Sequence, residues 1–345
     1  MALAASNPEA SAAARPPLLW LIDQDDYPLV SRRLVLLQSD QSEAHPVLAP
    51  LLYCFDAADY QRLQTAGHLL LVNGPVSESR SSPNVGMPLQ LLNLKSGELQ
   101  PVRSQSQSFV ASPDGSKLLT WNNFQLNLSD LEGEDLQQAK PLMQLGKLEL
   151  GSAQVSQALW MPNSDSFLVQ ISNYKEDGLR AGVWEYPLQG EPLYLGIIQG
   201  RMLCVLGSQT LLHSIPKPRE RYGARRLVRS DFHLSSTIPG QFRTEQLHED
   251  LMYTNAVAQR PHSLEFAYAR HSDKALVLSG EQAGQVSERI LWQSTRSISD
   301  LNWSADGRWL CFTDRNEESQ RRIIVIDVET GESQELGKGI RPVFR

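Results

Sequence analysis

The feature that most constrains this chain is a repeat. Strong apolar segments begin at Leu18, His68, Lys117, Ser166, Thr210, Ser263 and Arg308, at intervals of 50, 49, 49, 44, 53 and 45 residues. Each is short and bounded by turn residues, so it reads as a strand rather than a helix. Seven units of about 49 residues account for the 345-residue chain, and a period of that size points to stacked β-sheet units. No amphipathic helix of useful length interrupts them, which excludes doubly wound α/β folds and helical solenoids.

Each unit carries more than one strand. In the second, Leu51–Asp56 is expected as the inner strand, His68–Asn73 as the next, Pro88–Leu94 as the third and Glu98–Val102 as the outer one. The tetrads Ser112-Pro113-Asp114-Gly115 and Ser304-Ala305-Asp306-Gly307 are turn signals, because Asp bonds its own backbone and Gly tolerates positive φ. Met161-Pro162-Asn163-Ser164 and Arg260-Pro261-His262-Ser263 occupy matching places without the glycine. Continuous apolar runs such as Ile323-Ile324-Val325-Ile326 predict sheets covered on both faces. The polar run Glu332-Ser333-Gln334-Glu335 predicts an exposed outer edge.

The best-preserved unit spans Ile298–Leu336. Its Trp303-Ser304-Ala305-Asp306-Gly307-Arg308, followed by Asp327-Val328-Glu329-Thr330-Gly331-Glu332, resembles the TolB-type, or PD40, WD40-like β-propeller repeat. Val110–Lys117 matches the first half of that pattern, and Leu159–Ser164 is a degenerate copy. The resemblance implies an all-β propeller, with seven four-stranded blades expected and six as the alternative. The last segment, Ile340–Phe344, reads as a lone inner strand that would complete the first blade. Residues 1–16 read as a flexible Ala/Ser/Pro-rich leader and 17–345 as one propeller domain.

Function is less constrained. A formal charge of −7 argues against a dedicated nucleic-acid binder. No apolar run reaches the roughly 18 residues needed to cross a bilayer. Cys54, Cys204 and Cys311 lie far apart without metal-type spacing and read as small buried hydrophobes. Seven histidines show no zinc-type pairing, Asp23, Asp25 and Asp26 read as a solvated turn, and no Gly-x-Ser-x-Gly elbow is present. No catalytic residue, metal ligand or cofactor is therefore assigned.

The most unusual composition is Lys217–Arg229, with six basic residues against Glu220. Lys217, Arg219, Arg221, Tyr222, Arg225, Arg226 and Arg229 are the candidate binding residues, because arginines suit carboxylate or phosphate partners. The expected role is a monomeric, non-enzymatic, protein-binding propeller whose partner carries negative charge. The rival is a carbohydrate-active propeller enzyme, a lyase or hydrolase, with its site in the channel. The resemblance implies the cell envelope or periplasm, whereas an unprocessed start at Met1 would leave the chain in the cytoplasm.

Overall fold

The computed structural model describes residues 14–24, 30–39, 41, 43–46, 52–54, 63–66, 69–73, 89–96, 98–101, 108–122, 125–131, 140–144, 154–172, 181–217, 225–232, 243–251, 256–282 and 285–345. Among them there is no helix, only strands.

The first four strands are β1 (Leu18–Gln24), β2 (Val30–Leu37), β3 (His45–Pro46) and β4 (Leu52–Cys54). They lie in one sheet, with β3 and β4 both paired to β2. The second sheet holds β5 (Leu63–Ala66), β6 (Leu69–Asn73), β7 (Leu89–Asn93) and β8 (Leu99–Pro101), in chain order. The third holds β9 (Ser108–Ala111), β10 (Lys117–Trp121), β11 (Gln125–Asp130) and β12 (Lys140–Gln144). The fourth holds β13 (Gln154–Trp160), β14 (Ser166–Ser172), β15 (Gly182–Pro187) and β16 (Leu193–Gly196). β17 (Arg201–Leu206), β18 (Thr210–Pro216), β19 (Arg225–Asp231) and β20 (Arg243–Leu251) make the fifth. β21 (Val257–Gln259), β22 (Phe266–Ala269), β23 (Ala275–Gln282) and β24 (Gln285–Gln293) make the sixth. β25 (Ser297–Trp303), β26 (Trp309–Arg315), β27 (Arg321–Asp327) and β28 (Ser333–Lys338) make the last. The final strand, β29 (Ile340–Phe344), pairs antiparallel with β1, so that Leu18 lies opposite Phe344 and Leu19 opposite Val343.

One expectation is corrected. The inner strand of the second sheet is β5, at Leu63–Ala66, and not Leu51–Asp56. Leu52–Cys54 instead pairs with the outer side of β2, Val30 facing Cys54. β2 is eight residues long and β3 covers only two of its residues, so the rest of its edge needed a partner. An apolar run that satisfies a neighbour's edge reads, in sequence, like the start of a new unit.

The core lies between the sheets. Leu119, Trp121 and Trp160 join the third sheet to the fourth. Ala267, Leu276, Trp303 and Phe312 join the sixth to the last. Another cluster packs Cys311, Ile323 and Val325 of the last sheet against Leu18, Trp20 and Val35 of the first. β26 and β27 are accordingly buried along nearly their whole length, while β28 is mostly exposed. The innermost strands also approach one another in series from β5 through β9, β13, β17, β21 and β25 to β29, and β29 in turn contacts β5.

The repeated turns are built by the same bonds. Ser112 and Ser304 each accept a backbone N–H on Oγ, from Lys117 and Trp309, both at 2.9 Å. Each hydroxyl also donates to the aspartate two residues on. Gly115 and Gly307 adopt φ of 74° and 69°. Where the glycine is missing, Ser164 and His262 take positive φ instead. The second hairpin repeats too. Asp327 Oδ1 accepts the N–H groups of Glu329 and Thr330 at 3.0 and 3.3 Å, as Asn93 Oδ1 accepts those of Lys95 and Ser96 at 2.9 and 3.2 Å. These residues close turns, which is the purpose their spacing suggests.

Candidate functional site

Strands β17 and β19 both begin at the end of the fifth sheet that carries the Lys217–Ala224 connection. Arg201, the first residue of β17, lies opposite Ser214, which lies opposite Leu227. Residues two apart on a strand share a face, so Arg201 and Arg225 emerge on the same side of the sheet. That side looks toward the sixth sheet, because Leu227 packs there with Val257, Phe266 and Tyr268. The Arg225 guanidinium reaches the buried Ser214 hydroxyl at 3.5 Å. Arg226 emerges on the opposite face, and its Nε is buried without a hydrogen-bond partner among the described residues.

The electrostatics of this corner are those of like charges held together. Arg201 is pulled below the ordinary arginine value, first by the protein packed around it and second by repulsion from Arg225. Among the described residues, neither arginine has a carboxylate within ion-pairing range. Several half-buried arginines elsewhere do. Arg308 donates Nε and Nη2 to Asp327 at 2.9 and 2.6 Å, Arg322 bonds Asp314 and Glu335, and Arg270 bonds Asp273 and Glu288.

The structure thus separates the sequence's candidates. Lys217, Arg225 and Arg226 lie at this end of the fifth sheet. Residues 225–229 lie in strand β19. Arg229 sits further along β19, where Asp231 and Glu281 take its charge at 3.1 and 3.0 Å. Arg219, Arg221 and Tyr222 lie outside the described residues. Arg201 was missed because it is distant in sequence and only strand pairing brings it to Arg225. The available signal was its position at the head of the same unit's inner strand.

Other candidates have structural roles. His213 is buried, with Nδ1 2.9 Å from the Gln199 carbonyl and Nε2 2.8 Å from Ser230 Oγ. A neutral ring donating from Nδ1 and accepting at Nε2 satisfies both contacts. Burial lowers its pKa below 6.5, outweighing the opposing effect of the Gln199 carbonyl. The native state therefore favours the neutral ring. The stability this confers is present above the unfolded-state value near 6.5 and is lost as pH falls below it. The melting temperature should decline between about pH 7 and 5, and His213→Gln should flatten that decline, as read by thermal unfolding across the range. Cys204 is partly buried and its thiol is pushed up to about 12 by burial, while Cys311 is fully buried and displaced further in the same direction. Neither is a thiolate near neutrality. Among the described residues, no three His, Cys, Asp or Glu side chains gather as metal ligands.

Comparison with solved structures places this architecture. The β-propeller domain of the Trilobed protease from Pyrococcus furiosus, described as having an open velcro topology, superposes with a TM-score of 0.59 at 10% identity, over 95% of this chain and 94% of that one. The tricorn protease gives 0.56 at 11% identity, over 96% of this chain and 36% of that one. TolB from Acinetobacter baumannii gives 0.45 at 12% identity, over 95% and 66% respectively. The chain therefore spans about a third of the tricorn protease and under two thirds of that TolB. No family model and no curated protein matches the sequence. The fold is that of a β-propeller, and at these identities the likeness speaks to fold alone.

Proposed function

We propose that this protein is a non-enzymatic binding propeller of seven blades, fastened where β29 joins β1. Its function is to hold an anionic segment of another protein at the corner formed by Arg201 and Arg225, at the same end of the sheet as Lys217. Seven blades and closure are supported by the cyclic order of inner-strand contacts and by the apolar cluster shared between the last sheet and the first. The observation that carries the binding reading is the Arg201–Arg225 pair. A protein with net charge −7 holds two mutually repelling guanidiniums on one sheet face without neutralising either among its described residues. Guanidiniums so placed are suited to paired carboxylates.

The test is fluorescence anisotropy with a labelled polyglutamate peptide. The wild-type chain should bind it saturably, with affinity falling as salt rises. Arg201→Glu with Arg225→Glu should weaken binding by roughly tenfold or more, since each tenfold corresponds to about 1.4 kcal/mol. Equal binding by the two proteins would remove this reading.

A further inference from the structure

The sheets of this protein end in outer strands, and most of those strands are guarded. β8 ends in Pro101, β12 contains Pro141, and β16 has only four residues. β28 carries Glu335 and Lys338, and β20 carries five charged or titratable residues, Arg243, Glu245, His248, Glu249 and Asp250. Proline, charge and shortness are the usual means of keeping a sheet edge from pairing. β24 is different. It is nine residues long, contains no proline, and is unpaired on its outer side among the described residues. Val286–Ile290 are all exposed.

Its two charges do not guard it. Glu288 accepts the Tyr268 hydroxyl at 2.7 Å and meets Arg270 at 3.4 Å. Arg289 donates to the Val328 carbonyl at 2.6 Å. Both are turned onto neighbouring strands, leaving Val286 and Ile290 as the prominent side chains of the edge, at 56% and 55% exposure. These two lie on one face, four residues apart, with Glu288 between them turned onto Tyr268 and Arg270. Beside Val286 a small open cleft runs between the fifth and sixth sheets. Leu206, Leu247, Leu264 and Phe266 give it an apolar lining, and Glu281 of β23 lies directly opposite Val286. Glu281 is 44% exposed and already bonds Arg229, with acceptor sites to spare.

We propose that β24 is a docking edge for an extended polypeptide segment of another protein. The segment adds to the sixth sheet as a fifth strand. The occupant's chemistry follows from the surface. About 30 Å of open backbone, at roughly 3.3 Å per residue, accepts only a chain that presents its own N–H and C=O groups in strand form. The Val286–Ile290 row and the cleft take apolar side chains at alternate positions, and Glu281 takes a lysine or arginine flanking them. This site lies at the opposite end of the seam from the Arg201–Arg225 corner and selects the opposite charge.

The probe is the labelled peptide Ac-Lys-Thr-Val-Thr-Ile-Thr-NH2, whose lysine and two apolar residues share one strand face, titrated into the full chain by anisotropy. Saturable binding is expected, and Val286→Lys with Ile290→Lys should weaken it by roughly tenfold or more. Both positions are exposed, so the melting temperature of this variant should stay near that of wild type. The same peptide methylated on alternate backbone nitrogens should bind poorly, because strand addition uses those donors. Arg201→Glu with Arg225→Glu should leave binding in place. The proposal is overturned if the peptide does not bind, if the double lysine variant binds it equally, or if the methylated peptide retains affinity. It is equally overturned if light scattering shows a dimer of the wild-type chain that the lysine variant abolishes, since the edge would then serve a second copy.

Discussion

Removal of residues Gly339–Arg345 should destabilise this protein more than any other change of similar size. Ile340, Val343 and Phe344 are 3%, 4% and 4% exposed; Ile340 and Val343 pack with Leu19, Leu21 and Leu92 of the first and second sheets, and Phe344 packs with Ile323 and Val325 of the last. Burying three such side chains contributes about 6 kcal/mol at 1.5–3 kcal/mol each. Their loss would also open the β1 edge, exposing Leu18, Leu19 and Leu21, now at 0%. The backbone of β29 is held beyond its pairing with β1. Arg341 N–H donates to Thr313 Oγ1 at 3.1 Å, Phe344 N–H to Asn302 Oδ1 at 3.0 Å, and Arg345 N–H to the Pro17 carbonyl at 2.9 Å. Folded domains are stable by only about 5–15 kcal/mol, so the truncated chain should melt at a much lower temperature or fail to stay soluble. Phe344→Ala offers a milder version, expected to cost about 3–5 kcal/mol. An unaltered melting temperature after truncation would contradict the closed ring proposed above and favour an arrangement held by neighbour packing alone.

Much of this fold is legible in the sequence because its instructions are local. Asp306-Gly307 and Thr330-Gly331 specify turns through bonds that span a few residues, and those turns set the phase of every strand between them. Leu52–Cys54 was misread for the converse reason. Whether a short apolar run opens a new sheet or covers the last one depends on how much of β2 remains unpaired, which is a property of the neighbouring strand. The candidate site is still less legible. Lys217, Arg225 and Arg226 stand out by composition, but Arg201 becomes their companion only through the pairings of β17 with β18 and of β18 with β19. Arg229 shows the reverse effect. It belongs to the basic run in sequence, yet Glu281 of the next sheet neutralises it.

Trp303 is where sequence and structure can be set against each other most directly, since a tryptophan beside Asp and Gly can be read as a ligand platform. It is 8% exposed and packed among Ala267, Leu276 and Phe312. Its indole N–H donates to the Ala258 carbonyl of the preceding sheet's inner strand at 3.1 Å, and the Arg260 guanidinium lies 5.8 Å from its ring. Trp160 makes the equivalent bond to Val110, also at 3.1 Å, so in these two sheets the residue stitches its sheet to the one before it. Trp303→Ala should therefore cost about 3–5 kcal/mol, as loss of a large buried ring does. Trp303→Phe keeps much of the apolar contact but loses the hydrogen bond and part of the ring's volume, for a smaller cost of about 1–3 kcal/mol. Chemical denaturation of the two variants measures both. A platform residue would give the opposite pattern, with stability preserved in Trp303→Ala, because a ring held ready for a ligand contributes little to the packing of the free protein. The graded loss of stability expected here follows from the ring's position in the seam between the sixth and last sheets, where the protein's own side chains already bury it.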